Sequence, residues 1–161
     1  MRKTLVVFDL AGQACAFPLE EVRQIIPLPA LAHPPGLPEA IEGILDLGGS
    51  AVPVVRMDRL FSLPPQEIGL YTPLLLLGAA SNPVAIPVDQ VREILSLREE
   101  SCSFLGDGRS LNGAAVGEIA AGGSSIHLLS AEHIFSAEER RRLTEFQTMA
   151  EQRLRMLESH T

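Results

Sequence analysis

The sequence has few of the residues that build disulfide frameworks or aromatic cores. It contains no tryptophan, one tyrosine, six phenylalanines and two cysteines among 161 residues, while 46% of the residues are hydrophobic. We therefore expect an aliphatic core. Cys15 and Cys102 make no disulfide framework and have no metal-ligand spacing, so we expect Cys15 to be a small buried residue in a strand. No apolar run is long enough to cross a bilayer, and no leader opens the chain, which predicts a soluble cytoplasmic protein without membrane insertion.

Basic residues are also scarce. There are 13 lysines and arginines against 20 aspartates and glutamates, which gives a net charge of −7. Positive and negative charges balance after residue 136, so the excess negative charge belongs to the body that precedes it. An acidic body argues against nucleic acid as a partner, because phosphates require a basic surface.

Motifs for catalysis or cofactor binding are missing. The chain has no G-x-S-x-G elbow, no phosphate-binding loop and no dinucleotide fingerprint, and its four histidines show no metal-ligand spacing. Asp58 and Glu132 fall at equivalent places in two related stretches, and we interpret them as helix caps rather than as an acid/base pair. We expect a protein that is not an enzyme and holds neither cofactor nor metal.

An internal repeat is the strongest positive feature. Ile41–Phe61 consists of two apolar runs around Gly48-Gly49-Ser50 and a short helical turn, a pattern typical of a hairpin because glycine adopts positive φ freely. Leu111–Ser136 repeats this order, with Gly113 taken as the counterpart of Gly43. Upstream, FPLEEVRQII matches IPVDQVREIL at constant spacing. The sequence predicts a duplicated β unit, with repeats at about 4–62 and 73–136.

Two segments stand apart from the repeats. Pro27–Pro38 has five prolines in twelve residues, which favours a stiff extended loop or, alternatively, a preformed low-entropy surface. Ser136 and Glu139 form a capping-box pattern that predicts a helix from there onward. Its apolar stripe consists of Leu143, Phe146, Ala150, Leu154 and Leu157. The stripe is expected to dock on the β body or on a second copy, which would give a homodimer through this helix.

The order of these motifs resembles a known family. Over roughly Thr4 to Phe135 the chain is similar to the CheW-like domain of bacterial chemotaxis coupling proteins. The similarity lies in four features that follow in order: P-[LV]-[ED]-x-V-R-x-I, a proline-rich loop, I-x-G-I-L-D-L-x-G, and V-P-V-V-x-M-D-x-L-F. The resemblance implies a mainly β fold of two intertwined five-stranded, SH3-like β-barrel lobes in residues 1–136. An amphipathic C-terminal helix in residues 137–161 would follow.

The resemblance also implies a function. Such proteins are non-enzymatic adaptors that join a CheA-type histidine kinase to the cytoplasmic tip of a chemoreceptor. One lobe's end packs against the kinase's regulatory domain, and a groove between the lobes takes the receptor's helical hairpin. The partner-binding positions carried over to this chain are Val22, Gln24, Ile41, Gly43, Leu45, Asp46, Gly48 and Gly49. We expect Ile41, Gly43 and Leu45 to form exposed apolar patches, although Leu45 fits an ordinary barrel core equally well.

The chain departs from the family pattern at two of these positions. Gln24 stands where the family has an acid, and Gly48 stands where it has an arginine. If those side chains pair in other members, losing both leaves no lone buried charge, so the departures bear on the receptor contact more than on the fold. The alternative function is therefore a CheW-like scaffold or dimerisation module in another two-component pathway, such as surface motility or pili.

Two further classes of function remain open. A β module that binds a small molecule would show a thermal shift with a metabolite. A scaffold dimer would depend on the long helix, and deleting Ala137–Thr161 would abolish its activity, whereas an adaptor should still bind its kinase.

Overall fold

The computed structural model describes residues 2–78, 83–99, 102–104, 110–121, 123–139 and 155–156, and these form a mainly β protein. The strands are β1 (Arg2–Leu10), β2 (Gln13–Pro18), β3 (Val22–Pro27), β4 (Ile41–Leu47), β5 (Ser50–Val55), β6 (Pro73–Leu77), β7 (Val84–Pro87), β8 (Gln90–Arg98), β9 (Cys102–Phe104), β10 (Gly117–Ala121) and β11 (Ser124–Leu128). A short helix, α1, spans Met57–Leu60, and a second helix, α2, covers residues 131–139. 3₁₀ turns span Leu19–Glu21 and Ser110–Gly113, and residues 155–156 are helical as well.

The strands form two sheets, as the duplication predicted. One has five strands in the order β3-β6-β7-β5-β4, and the other has six in the order β8-β1-β2-β11-β10-β9. Each sheet keeps two edge strands in the described part of the chain, so the SH3-like sheets are open rather than closed into barrels. The sixth strand is β9, which pairs with β10 at one edge.

The two repeats exchange their first hairpins. β1 and β2 of the first repeat lie in the sheet that contains β8, β10 and β11, while β6 and β7 of the second repeat lie with β3, β4 and β5. Replacing each strand by its counterpart turns one order into the other, and the junction pairs β2–β11 and β5–β7 are both parallel. The intertwined two-lobe architecture is therefore confirmed.

One detail of the predicted repeat alignment is wrong. Gly43 lies four residues before the end of β4, and Gly117, not Gly113, lies four residues before the end of β10. Gly113 instead belongs to a 3₁₀ turn. The residues inserted in the second repeat precede β10. They include β9, which pairs with β10 in the same way that Ala32 pairs with Ile44 of β4 in the first repeat.

The core is aliphatic, as composition predicted, and its largest cluster joins the lobes. Phe8 and Phe17, whose rings stack 5.5 Å apart, meet Leu75 and Ile86 of the other sheet and Ile134 of α2. Two smaller clusters fill the individual lobes. Each fully buried side chain of this size stabilises the fold by roughly 1.5–3 kcal/mol, so separating the lobes would expose the most costly surface.

The predicted start of the C-terminal helix is wrong. The helix already begins at Ala131, and the N–H of Ile134 donates to the carbonyl of Ser130 at 3.1 Å, so Ser136 lies within the helix and is not its cap. Ile134 is completely buried, and Glu21 Oε1 accepts the N–H of Ala131 at 3.0 Å. Tertiary contacts therefore start the helix earlier than the local pattern suggests. The stripe from Leu143 to Leu157 lies outside the described residues, so its docking and the homodimer stay predictions.

Candidate functional site

The predicted partner-binding residues fall into two groups at opposite edges of the five-stranded sheet. Val22 and Gln24 belong to β3, and the other six belong to β4 or its turn; β3 and β4 are the two ends of the strand order. Val22 is half-buried against the core that joins the lobes, whereas Gln24 is exposed. Of these two β3 residues, Gln24 is therefore the one that faces solvent.

The expectation of exposed apolar patches on β4 is wrong. Ile41 and Leu45 are only 5% and 3% exposed, and Gly43 is buried as well. Leu45 packs with Val52 and Val54 inside the lobe, as its alternative interpretation held. Because side chains alternate along a strand, the inward face of β4 is occupied by the apolar residues that the pattern singled out.

The proline-rich segment covers the edge of β4. Ala32 and Ile44 exchange two backbone hydrogen bonds, of 2.9 and 2.8 Å, and a Cβ on Gly43 would lie 2.9 Å from Leu31 Cβ and 3.0 Å from Ala32 O. The glycine therefore permits the close approach of this segment. Covering an edge in this way blocks strand addition there, and the outward-facing residues 32–36 remain exposed.

Among the predicted residues around β4, those exposed to solvent lie at the turn between β4 and β5. Gly48 and Gly49 have φ values of 58° and 89°, and Asp46 Oδ1 accepts the N–H of Gly49 at 3.1 Å. All three residues are exposed. An arginine at position 48 would hold the same left-handed backbone at a cost of roughly 1–2 kcal/mol, so the departure from the family pattern suits the turn that this chain makes.

Sequence reasoning missed a buried ion-pair network at the end of β5. The guanidinium of Arg56 donates to both carboxylate oxygens of Asp58, at 3.0 and 2.6 Å, and also reaches Glu42 Oε2 at 3.3 Å. Arg56 and Asp58 are only 8% and 6% exposed. Arg56 occupies the N-cap position of α1 and Asp58 lies within the helix, so the predicted role of Asp58 as a cap is wrong. The signal available in the sequence was the arginine two residues before the aspartate.

This network holds the linker between the repeats. Arg56 Nη2 donates to the carbonyl of Gln66 at 2.7 Å, and Asp58 Oδ2 accepts the N–H of Gln66 at 3.0 Å. Burial opposes ionisation of Asp58, but the hydrogen bonds from Arg56 and Gln66 outweigh it and lower the pKa of that carboxyl. In the same way, the pKa of Arg56 is raised by its acidic partners despite burial. Both groups therefore remain charged, and the linker is fixed at Gln66.

A cleft of about 230 Å³ lies where the two lobes meet. One wall is the turn between β1 and β2 with Asp89, and the other is the linker from Leu63 to Glu67 above Asp58. Asp89 and Glu67 are exposed, so the mouth of the cleft is acidic. The sequence could not place this cleft, because its walls combine the first repeat, the linker and, at Asp89, the second repeat.

The chemistry-bearing side chains have structural surroundings. Cys15 is fully buried in β2, and burial, with the charges of Asp9 and Asp89, raises the pKa of its thiol to about 12, which confirms the prediction that it is a buried strand residue. His133 Nε2 lies 2.7 Å from the carbonyl oxygen of Gly113.

The described residues provide neither a metal-binding cluster nor a membrane-spanning helix. Among them there is no group of three or more His, Cys, Asp or Glu side chains placed to hold a metal ion. Within the same part of the chain, no helix has the length and apolar character needed to cross a membrane.

Comparison with known proteins points to one family. Residues 4–139 match the sequence pattern of the CheW-like domain. The chain is 23% identical over 104 residues to the chemotaxis protein CheW of Bacillus subtilis (strain 168), an alignment that covers 65% of this chain and 67% of that one. The crystal structure of the scaffolding protein TtCheW from Thermoanaerobacter tengcongensis superposes with a TM-score of 0.73 at 22% identity, over 80% of this chain and 89% of that one.

Proposed function

The chain belongs to the family of CheW-like domains, and from that membership we propose that it is a non-enzymatic, cytoplasmic signalling adaptor that couples a chemoreceptor to a CheA-type histidine kinase. The observation that carries the proposal is the match of the family pattern to nearly the whole two-lobe body. The similarity to a chemotaxis protein and to a scaffolding protein supports the same role.

We assign the kinase's regulatory domain to the turn between β4 and β5. Asp46, Gly48 and Gly49 stand exposed at the end of one lobe, and the hydrogen bond from Gly49 to Asp46 keeps the turn in one conformation. A rigid protrusion loses little conformational entropy on binding, which favours contact there over contact through the buried residues of β4.

The receptor's helical hairpin is assigned to the cleft between the lobes. Both lobes contribute to this cleft, and the linker wall is held by the Arg56–Asp58 network. Its acidic mouth at Glu67 and Asp89 would favour a helix that carries basic residues beside an apolar stripe. Adaptor action would then come from holding two partners together, with the kinase's states distinguished by their contacts.

A second candidate function follows from the departures at Gln24 and Gly48. Without the family's acid and arginine, the chain would serve as a CheW-like scaffold in another two-component pathway, such as surface motility or pili, without the ordinary receptor contact. The two candidates differ in whether a chemoreceptor fragment joins the complex.

The deciding experiment titrates the purified protein with the regulatory domain of a CheA-type kinase from the same genome, with light scattering to give the stoichiometry. We expect saturable binding that survives removal of residues 140–161. Ser50 and Ser124 are exposed at equivalent places beside the two glycine turns, so they offer a matched pair. Ser50→Arg should weaken binding at least about tenfold, while Ser124→Arg should not. Gly43→Arg is unsuitable because it would collide with backbone.

The receptor arm uses the same complex with a cytoplasmic fragment of a chemoreceptor added. Asp89 lines the cleft, and Glu20 holds the corresponding position of the first repeat; both are exposed. Asp89→Arg should reduce receptor recruitment, and Glu20→Arg should leave it unchanged. Kinase binding without receptor recruitment would favour the second candidate. An absence of binding to any such kinase at about 50 µM would overturn the adaptor proposal, because a dissociation constant above that concentration is weak even for a transient interface.

A further inference from the structure

The linker between the repeats carries a strained and exposed apolar turn. We call Gly69–Thr72 the linker tip. The carbonyl of Gly69 accepts the N–H of Thr72 at 3.1 Å, and Thr72 Oγ1 accepts the N–H of Gly69 at 2.9 Å. Between them, Leu70 and Tyr71 are 82% and 81% exposed, and Tyr71 has a φ of 71°.

The linker tip is also anchored on both sides. On one side Arg56 and Asp58 hold Gln66 through its carbonyl and its N–H. On the other side the carbonyl of Thr72 accepts the N–H of Leu28 at 2.9 Å. The turn is therefore presented in one conformation, although glycine would adopt the left-handed backbone of Tyr71 without strain. An exposed tyrosine gains no burial to offset that strain within the chain, so the outlier points to an external contact.

A complementary surface lies on the other sheet. β8 is an edge strand, and its exposed face carries Ile94, which is 63% exposed, and Arg98. Arg98 sits directly opposite Arg2 of β1, which is exposed as well. We call Arg2, Ile94 and Arg98 the basic edge. Like charges placed directly opposite each other across two strands are unfavourable, so this pair would be stabilised by an acidic partner.

The charges favour contact between these two surfaces. Glu67, three residues before Leu70, is exposed, and it shares the mouth of the cleft with Asp89. The linker side is thus acidic and apolar, whereas the basic edge offers a pair of arginines on the same strand face as an exposed isoleucine, four residues away along β8, in a protein whose net charge is −7. The pairing of an aromatic anchor with an apolar patch rimmed by opposite charge is typical of a binding hot spot.

We propose that the linker tip of one molecule docks on the basic edge of a second copy. Because the two surfaces differ, the contact is head-to-tail and leaves a free linker tip at one end of the pair and a free basic edge at the other. The chain would therefore extend into short open oligomers or close into a ring. This self-association adds a second function, assembly, to the binding of other proteins.

The first test is sedimentation velocity on the full chain over about 1–200 µM, the range expected of transient interfaces. We expect the average mass to rise with concentration and to fall again at high salt, because salt screens exposed charges. Tyr71→Gly and Ile94→Ser should each weaken association at least about tenfold. Leu19→Ser is the control, because Leu19 is an exposed apolar residue outside both surfaces, and it should leave the association unchanged. The melting temperature of Tyr71→Gly should stay equal or rise, since glycine relieves the strain.

A charge exchange tests the proposed pairing itself. Glu67→Arg and Arg98→Glu should each weaken association, and the double variant should regain part of it. A chain that stays monomeric throughout the range would overturn the proposal, and so would association that Tyr71→Gly and Ile94→Ser leave intact. If association is lost only on removing residues 140–161, the C-terminal helix is the interface instead. Kinase binding is measured separately, so the failure of either proposal is distinguishable from the failure of the other.

Discussion

Removing Asp58 should destabilise the fold far more than breaking an exposed ion pair of similar length. In Asp58→Ala, Arg56 stays buried and loses two hydrogen bonds, of 3.0 and 2.6 Å, while the N–H of Gln66 loses its acceptor. Removing one partner of a buried pair costs about 3–5 kcal/mol. Arg56 keeps Glu42 and the carbonyl of Gln66, so we take the lower end, about 3 kcal/mol. For a chain of this size, that lowers the melting temperature by roughly 6–12 °C.

The matched control is the ion pair between Arg92 and Asp9. Its Nε–Oδ1 distance is 2.7 Å, but the Arg92 side chain is 55% exposed, so Arg92→Ala should cost less than about 1 kcal/mol. Urea unfolding followed by circular dichroism measures both free energies, since the chain has no tryptophan to report by fluorescence. Equal losses in the two variants would refute the argument from burial. Arg56→Met/Asp58→Leu should lose less stability than Asp58→Ala, because no lone charge is left buried.

The stability provided by Asp58 has a defined pH dependence. Its pKa is lowered in the folded state, so the folded protein binds the proton less tightly than the unfolded chain does. The stabilisation is therefore complete above the unfolded pKa of about 3.9 and is lost as the pH falls through the folded value. The stability difference between the wild type and Asp58→Ala should be full at neutral pH and shrink below about pH 4. A difference that stays constant into strong acid would contradict the assigned ion pair.

Three further predictions concern other parts of the fold. Gly43→Ala should lower the free energy of unfolding by about 1–3 kcal/mol, because the added Cβ would press against the proline-rich segment. Gly69→Ala is the control, since its Cβ position faces open space, and it should lower the free energy of unfolding by less than about 0.5 kcal/mol. Equal unfolding free energies for the two variants would argue against the close approach at Gly43. The thiol of Cys15, with its pKa raised to about 12, should resist thiol reagents until the chain unfolds, which a Cys102→Ser background isolates; fast labelling of the native state would contradict this. Burial raises the pKa of Glu21 in the folded state, so ionisation of this carboxyl lowers the stability of the fold as the pH rises from the unfolded pKa to the folded pKa. Glu21→Gln should therefore be more stable than the wild type at neutral pH, and its stability should depend less on pH. A variant that is less stable than the wild type would show that the charge itself is needed.

The fold could be predicted because its signals are local and repeated. Apolar runs around Gly48-Gly49 and around Gly122-Gly123 each define a hairpin, and their recurrence defines the duplication. The resemblance to a family then supplied the exchange of hairpins, since no local pattern states which strand pairs with which. The start of α2 was missed because the pattern of Ser136 and Glu139 also occurs inside helices, and the burial of Ile134 decides where this one begins.

The candidate site was harder to predict, because its parts meet only in space. Glu42 lies in β4, Arg56 lies between β5 and α1, and Gln66 lies in the linker, and the spacing of these residues in the sequence does not predict a network. Ile41 was expected at the surface, and Leu45 either there or in the core, but the alternation of β4 turns both inward. The positive φ of Tyr71 is equally invisible, because a non-glycine residue at such a turn position carries no sequence signal.

The exchange of hairpins also bears on how an adaptor of this kind would work. Pulling the two repeats apart would break the β2–β11 and β5–β7 pairings, and separating the lobes would open the core around Phe8 and Leu75, so the lobes cannot rotate about a simple hinge. Surfaces on different lobes, such as the linker tip and the basic edge, are therefore held at a fixed relative orientation. A rigid spacer cannot itself switch between states, because a shift requires an element with two arrangements. Any change of signalling state would then have to arise in the partners, with this protein setting the geometry in which they meet.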